Sequence, residues 1–219
     1  MTRRIGTLVV AALALAACST GGAPRHAAST TVTSSAGTST TAASSAAACQ
    51  PATTAPGGNG AKEVADPGDI PDNQAYVPYT PPSGEIVVKV PEGWARSDSA
   101  GSVTFTDKFN SVRVEVVPSP AAPTVASATA TDLPAVRAAS RCFEPGQVTE
   151  VQRKGGPAVL LTYRVDAAAD PVTGKVVRQA VERYEFFHGG KEAILTLAGA
   201  VGADNVDPWR IVSDSLTWR

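Results

Sequence analysis

The chain has 219 residues, 43% of them hydrophobic, 18% charged and only 5% aromatic, with a formal net charge of -1. That length admits one or two domains, although much of the apolar share is Ala in the first third, which buries little surface. The slightly acidic balance excludes a charge-driven grip on phosphate backbones, so no nucleic acid is expected as a partner, nor is a polybasic membrane patch.

Met1 to Ala17 is laid out as an export signal. Arg3 and Arg4 supply its positive start, and Ile5 to Ala17 its apolar run with small residues near the end. The run falls short of the roughly 20 residues that a bilayer span requires. It closes on Leu15-Ala16-Ala17-Cys18, a Leu three positions before a Cys with two small residues between. This word resembles the lipobox of bacterial lipoprotein signal peptides. The resemblance implies cleavage before Cys18 and a diacylglycerol on the Cys18 thiol. The mature protein would then sit on the outer face of the cytoplasmic membrane, partnered with the bilayer through that lipid, since two acyl chains hold where one is marginal. Loss of Arg3 and Arg4 with residues 1–17 leaves 17 basic residues (19 minus 2) against 20 acidic ones.

Cys18 as lipid acceptor also accounts for an odd count of three cysteines. Cys49 and Cys142 remain. They are either two independent thiols, one in a linker and one at a helix end, or a disulfide of the kind that exported proteins carry. A bond closing so long a loop is worth on the order of 4 kcal/mol in the chain-entropy account.

Residues 18–75 read as a disordered tether. From Ser19 to about Gly60 the composition is Ala, Ser, Thr, Gly and Pro, with almost no charge and Val32 as the one large apolar residue. Such a segment cannot offset its ordering entropy by burial. As a flexible coil it would reach roughly 35–40 Å, and its Ser/Thr and Pro content suits either an O-glycosylated stalk or a bare linker. Asp66, Asp69 and Asp72 follow at spacing three, broken by Pro67, Gly68 and Pro71. They lack the alternate oxygens and terminal Glu of a calcium loop and read as a solvated turn. Tyr76 and Tyr79, among prolines, are expected to lie extended at the start of a domain covering residues 76–219.

Within that domain Ile86, Val88 and Val90 alternate with other residues as a strand, and Pro91-Glu92-Gly93 turns the chain to Trp94. Val103 and Phe105 mark a second strand. Val112, Val114 and Val116, set between Arg113 and Glu115, mark a third, the cleanest half-buried pattern in the chain. Pro118 to Pro123 interrupts. Val125 to Arg141 then reads as a helix in one or two pieces, with Asp132 as N-cap, Pro134 in the first turn and Glu144-Pro145-Gly146 as terminator. Val148 to Lys154 and Val159 to Val165 form a hairpin across Gly155-Gly156. After a loop over residues 167–174, Lys175 to Phe187 reads as a long strand with a bulge. His188-Gly189-Gly190 turns into Glu192 to Ala198, apolar on both faces as a central strand should be. A last helix is capped by Asp207 with Pro208 at its first position, and it presents Trp209, Val212 and Leu216 to the sheet.

The expected class is α+β: an antiparallel sheet of about six or seven strands flanked by two main helices. Val90-Pro91-Glu92-Gly93-Trp94, Tyr184-Glu185-Phe186 and Ala203-Asp204-Asn205-Val206-Asp207-Pro208-Trp209 resemble, in that order, the PsbP-like α/β/α sandwich. With the lipobox and tether, the whole resembles actinobacterial lipoproteins of largely unassigned function. Trp94, Trp209, Asp207 and Pro208 are expected to be structural, since these words are architectural rather than catalytic and a fold does not carry an activity.

Nucleophilic catalysis needs a base beside its nucleophile, and the only histidines are His26 in the tether and His188 in a turn. No Cys/His set has zinc spacing, so neither metal nor cofactor is expected. Asp204 with Asp207 could serve acid/base work but is explained by a helix N-terminus. Glu182 and Glu185, at odd spacing, face opposite sides of a regular strand, where Glu182 could pair with Arg164 or Arg178. The expected function is a non-enzymatic envelope lipoprotein that binds a partner protein, glycan or lipid. An envelope hydrolase or metal-dependent enzyme using Asp204, Asp207 or His188 is the alternative, and a structural tethered spacer the third reading.

Overall fold

The structure, a computed structural model, describes Cys49 and residues 68–219. The signal segment with Leu15, Ala16, Ala17 and Cys18, and the tether up to residue 67 apart from Cys49, lie outside the described residues.

Seven antiparallel strands form the main sheet in the order β3-β4-β5-β9-β8-β7-β6. They are β3 (Ala95–Ser99), β4 (Ser102–Asp107), β5 (Asn110–Pro118), β6 (Arg141–Arg153), β7 (Gly156–Asp166), β8 (Arg178–His188) and β9 (Lys191–Ala200). A second sheet of three strands joins β1 (Tyr76–Tyr79), β2 (Ile86–Pro91) and β10 (Thr217–Trp218). Between β5 and β6 the chain makes α1 (Val125–Ser127), a π-helical turn (Ala128–Asp132) and α2 (Leu133–Ala139), and α3 (Val206–Asp214) precedes β10. The α+β class and the seven-strand sheet agree with the sequence pattern.

Alternation builds two cores, one on each face of the main sheet. On the inner face Val112 and Val114 of β5, Leu195 and Leu197 of β9, and Tyr184 and Phe186 of β8 meet Ile86, Val88 and Val90 of β2 and Trp209, Val212 and Leu216 from the α3 region. Tyr79 meets Phe105 edge-on at 5.1 Å, and the half-buried Trp94 packs on this core. On the outer face Val159, Leu161 and Tyr163 of β7 and Val181 of β8 are covered by Ala128, Leu133 and Val136 of the α1–α2 layer. The helix-flanked sandwich is therefore asymmetric, since one of its outer layers is a helix plus a small sheet. β9 is buried on both faces because it pairs with β5 and β8 at the centre. The turn into it has φ positive at both Gly189 and Gly190, as a two-residue hairpin loop requires.

Several boundaries differ from the sequence pattern, each for a local reason. Glu144-Pro145-Gly146 does not end a helix. It lies inside β6, which begins at Arg141, and the register against β7 shifts before and after it. Cys142 sits at the first shift with φ 49, in a strand rather than a helix end. The irregularity expected in β8 is thus in β6, and β8 pairs without interruption from Arg178 to His188. Asp132 makes no capping bond because the backbone is already helical through it. Asp207 is not the cap of α3 either: Asn205 holds that position, with Val206, Asp207 and Pro208 in the first turn. Pro208 is tolerated there because first-turn N–H groups have no helical partner. Strands β3 and β10 have no counterpart in the sequence pattern, whereas β1 is the extended Tyr76–Tyr79 segment expected at the start of the domain.

The ordered body also begins ahead of Tyr76, within the segment assigned to the tether. Ile70 is 5% exposed in the inner core, and its N–H donates to Asn205 Oδ1 at 2.8 Å. The Gly68 carbonyl accepts from Asn110 Nδ2 at 2.8 Å and Asn205 Nδ2 at 3.1 Å, and Asn205 Nδ2 also donates to Asn110 Oδ1 at 3.0 Å. Gly199 makes room for this pair, since a Cβ there would lie 2.7 Å from both side chains. Among the described residues no helix is long and apolar enough to cross a membrane.

Two stability measurements follow. Trp209→Ala is expected to cost roughly 3–5 kcal/mol in denaturant unfolding, and an unchanged midpoint would mean that α3 is not docked by its indole. Asn205→Ala strands the Ile70 N–H and half of the Asn110 amide, at a cost of roughly 3 kcal/mol. If that variant were as stable as the parent, the amide network would not be holding the entry segment.

Candidate functional site

One concave surface lies between α3 and the β6–β8 edge. It is an open cavity of about 360 Å³ lined by Glu144, Thr162, Arg164, Glu182 and Trp209, among others. Even-numbered residues of β7 and β8 reach it because they share the inner face with Leu160 and Tyr184. Its outer wall is an ion-pair chain. Arg164 Nη1 donates to Glu144 Oε1 at 3.1 Å, Arg178 Nη2 donates to Glu144 Oε2 at 2.9 Å, and Arg178 Nη1 reaches Asp166 Oδ1 at 3.1 Å. Arg178 also donates to the Cys142 carbonyl, which fixes the irregular start of β6 to β8. The Arg178 hydrogen bond, helped by Arg164, holds the Glu144 carboxyl below the usual carboxylate range.

Glu182 of the lining belongs to a second relay that runs from the cavity into the protein. The Tyr184 hydroxyl donates to Glu182 Oε2 at 2.6 Å and accepts from Arg153 Nη2 at 3.0 Å. Arg153 Nε donates to Ser213 Oγ at 3.1 Å, and its guanidinium lies 5.0 Å above the Tyr184 ring. Burial raises the Tyr184 phenol, and the bond to Glu182 adds to that. Glu182 therefore pairs with neither Arg164 nor Arg178: both arginines are engaged by Glu144, and Arg178 also by Asp166. The lining offers the carboxylates of Glu144 and Glu182, the Arg164 guanidinium, the Thr162 hydroxyl and the Trp209 indole, a set able to hold a hydrogen-bonding ligand.

A wider, open groove of about 640 Å³ runs along the outer side of α3, lined by Lys89, Lys154, Asp207, Arg210, Ile211 and Asp214. Asp207 is thus an exposed rim residue. The Asp204 backbone N–H donates to Asp69 Oδ1 at 2.8 Å, so Asp69 ties down the loop before α3. His188 packs against Trp218 with the rings tilted and their centroids 5.5 Å apart. It lies at the turn of the β8–β9 hairpin, whereas Asp204 and Asp207 follow the far end of β9. The three residues of the enzymatic alternative are not brought together. Among the described residues no group of three or more His, Cys, Asp or Glu is placed to hold a metal ion.

Cys49 is bonded to Cys142 with Cα atoms 5.2 Å apart. The next residue, Phe143, leaves this junction for the outer core, where its ring lies 5.5 Å from that of Tyr163 and beneath Arg137.

The odd spacing of Glu182 and Glu185 separates them as expected, but the enclosure of Glu185 was not foreseen. Glu185 is 0% exposed on the outer face of β8, opposite in direction to Glu182. Arg183 Nε donates to its Oε1 at 2.7 Å, and its Oε2 has no hydrogen-bond partner. Burial pushes the Glu185 carboxyl up to about 7, against the pull of Arg183 and with help from Asp132 and Glu192. The signal was available, since Glu185 stands between Tyr184 and Phe186 in an apolar strand.

The sign of its pH effect follows from linkage. A carboxyl whose folded pKa exceeds its unfolded value of 4.5 contributes stability below that value and loses it as pH rises through about 7. The loss amounts to about 3 kcal/mol at most. Glu185→Gln should therefore flatten the fall in unfolding free energy between pH 4.5 and pH 7 relative to the parent, with Glu192, raised in the same direction, common to both. An identical slope in the variant would assign the pH dependence to another group.

No protein-family model matches this chain, and no curated protein does. It is similar to the solution structure of cyanobacterial PsbP (CyanoP) from Synechocystis, with 18% identity, a TM-score of 0.49, and coverage of 67% of this chain and 94% of that one. It is similar to the Saccharomyces cerevisiae Ran-binding protein Mog1p, with 10% identity, a TM-score of 0.41, and coverage of 65% and 88%. A third similar structure is LpqN, described as involved in cell envelope biogenesis of Mycobacterium tuberculosis, with 13% identity, a TM-score of 0.39, and coverage of 67% and 92%. At these values none of the three transfers a residue role or an activity to this chain.

Proposed function

We propose that this protein is a lipid-anchored, extracytoplasmic binding module of the cell envelope. The observation that carries the reading is the bond between Cys49 and Cys142. It accounts for two of the three cysteines and belongs to an oxidising compartment. Cys18 is then the odd thiol, and it stands at the end of Leu15-Ala16-Ala17, where a lipid acceptor would be. The diacylglyceryl group holds the mature chain to the outer face of the cytoplasmic membrane, and the folded body supplies the contact surface. That surface is the cavity between α3 and the β6–β8 edge, where Glu144, Arg164, Glu182 and the Trp209 edge meet a polar envelope partner.

The anchor is tested by detergent phase partitioning and intact mass. The native protein is expected in the detergent phase with its amino-terminal Cys18 carrying a diacylglyceryl mass. A Cys18→Ala variant is expected in the aqueous fraction with no such mass. Recovery of the native protein from the aqueous phase, with an unmodified Cys18, would remove the anchor.

A further inference from the structure

The outer face of the sheet carries an apolar floor, a thin helical cover and one sealed carboxyl between them. Val159, Leu161, Tyr163 and Val181 form the floor. The cover is α1, the π-helical turn and α2, residues 125–139, entered through the Pro118–Pro123 stretch and left at Ser140, which is extended. Its start is fixed by a capping box between Thr124 and Ser127, and Thr129 Oγ1 donates back to the Val125 carbonyl at 2.6 Å. The middle is a π-helical turn, a local widening of the helix that recurs at functional sites. Ala128, 0% exposed, is its contact with the floor.

We propose that this cover is a hinged lid, held on the sheet while Glu185 is uncharged and released when that carboxyl ionises.

The argument lies in which side of the joint each charge occupies. Glu185 Oε1 is bonded to Arg183, but Arg183 stands on the same strand, so that attraction does not hold the lid. Arg113 and Glu115, paired at 2.8 Å on β5, and Glu192 on β9 also belong to the sheet side, as does the Tyr163 phenol on β7. Asp132 belongs to the lid, in the π-helical turn, and it acts on both Glu185 and Glu192. Arg137, the cation of α2, is engaged over the Phe143 ring at 5.3 Å. Ionised Glu185 therefore faces a like charge across the joint, while its Oε2 has no donor. An ionised oxygen in that position costs far more than a neutral one, and lifting the lid admits the water that relieves it. Uncharged Glu185 removes both penalties and leaves the apolar contacts of Ala128, Leu133 and Val136 unopposed. The carboxyl changes state around pH 7, so the lid answers to pH in that range.

Hydrogen exchange of the mature chain, corrected for intrinsic rates, is the test. From about one unit below pH 7 to about one above it, protection of peptides covering residues 125–139 should fall roughly tenfold, and at both ends it should lie well below that of residues 191–200 of β9. Glu185→Gln should hold the lid protected at both pH values. Asp132→Asn, which takes the like charge off the lid, should make the loss smaller. Equal protection of residues 125–139 at both pH values in the parent overturns the proposal. The same loss in Glu185→Gln and Asp132→Asn overturns it too, as does protection of residues 125–139 equal to that of β9, which would mean that the layer opens only when the whole domain unfolds.

Discussion

Two buried amides decide where this domain begins and how its last helix is seated. Asn110, 3% exposed, opens β5, and Asn205, 2% exposed, stands at the head of α3. They bond to each other and to the backbone of Gly68 and Ile70. Three segments far apart in the chain are thereby joined at one point. Burial of amides is unfavourable unless their donors and acceptors are met, so the network tolerates little error in position. Gly199 shows how tight the fit is, because no side chain can stand beneath the pair. Once Asn205 is committed there, α3 leaves at the angle that lays Trp209 and Val212 on the sheet.

Strand β8 divides the chemistry of the domain by parity. Its even positions place Glu182 and Tyr184 on the inner side, in hydrogen-bonded contact with Arg153 and next to the indole of Trp209. Its odd positions place Arg183 and Glu185 beneath the helical layer. Glu182 accepts from the Tyr184 hydroxyl and lines an open cavity, as suits recognition. The outer pair is enclosed and incompletely satisfied, as suits a response to protonation. One regular strand thus serves two surfaces that differ in solvent access and in purpose.

Much of this was readable from residue pattern, and the exceptions share a cause. β2, β4, β5 and β7 announce themselves because a strand with one face on a core must alternate, as Val112 and Val114 do around Arg113. β3 does not, since all five of its residues are exposed and nothing in Ala-Arg-Ser-Asp-Ser is periodic. The first half of β6 was hidden by Pro145 and Gly146, which in isolation signal a break and here mark register shifts in an outer strand. Asp207 looked like a cap because it precedes a Pro at a helix start. The cap went to Asn205 through contacts with Gly68 and Asn110, residues more than ninety positions away, a distance at which local pattern has no reach. Parity correctly separated Glu182 from Glu185, but which face would be roofed over depends on where residues 125–139 pack. Cys18 and its neighbours lie outside the described residues, and their role rests on the sequence.

The two borders of the main sheet bear on how copies of this protein would share a surface. A strand at a border offers unpaired backbone groups to any passing chain. At one border β3 is short and carries the Arg96–Asp98 ion pair, with both side chains in water. At the other, β6 is broken twice, with a left-handed Cys142 and a proline that has no N–H to offer. Neither border is a long, flat, apolar template. Molecules crowded at high density would therefore remain discrete instead of stitching into a continuous ribbon.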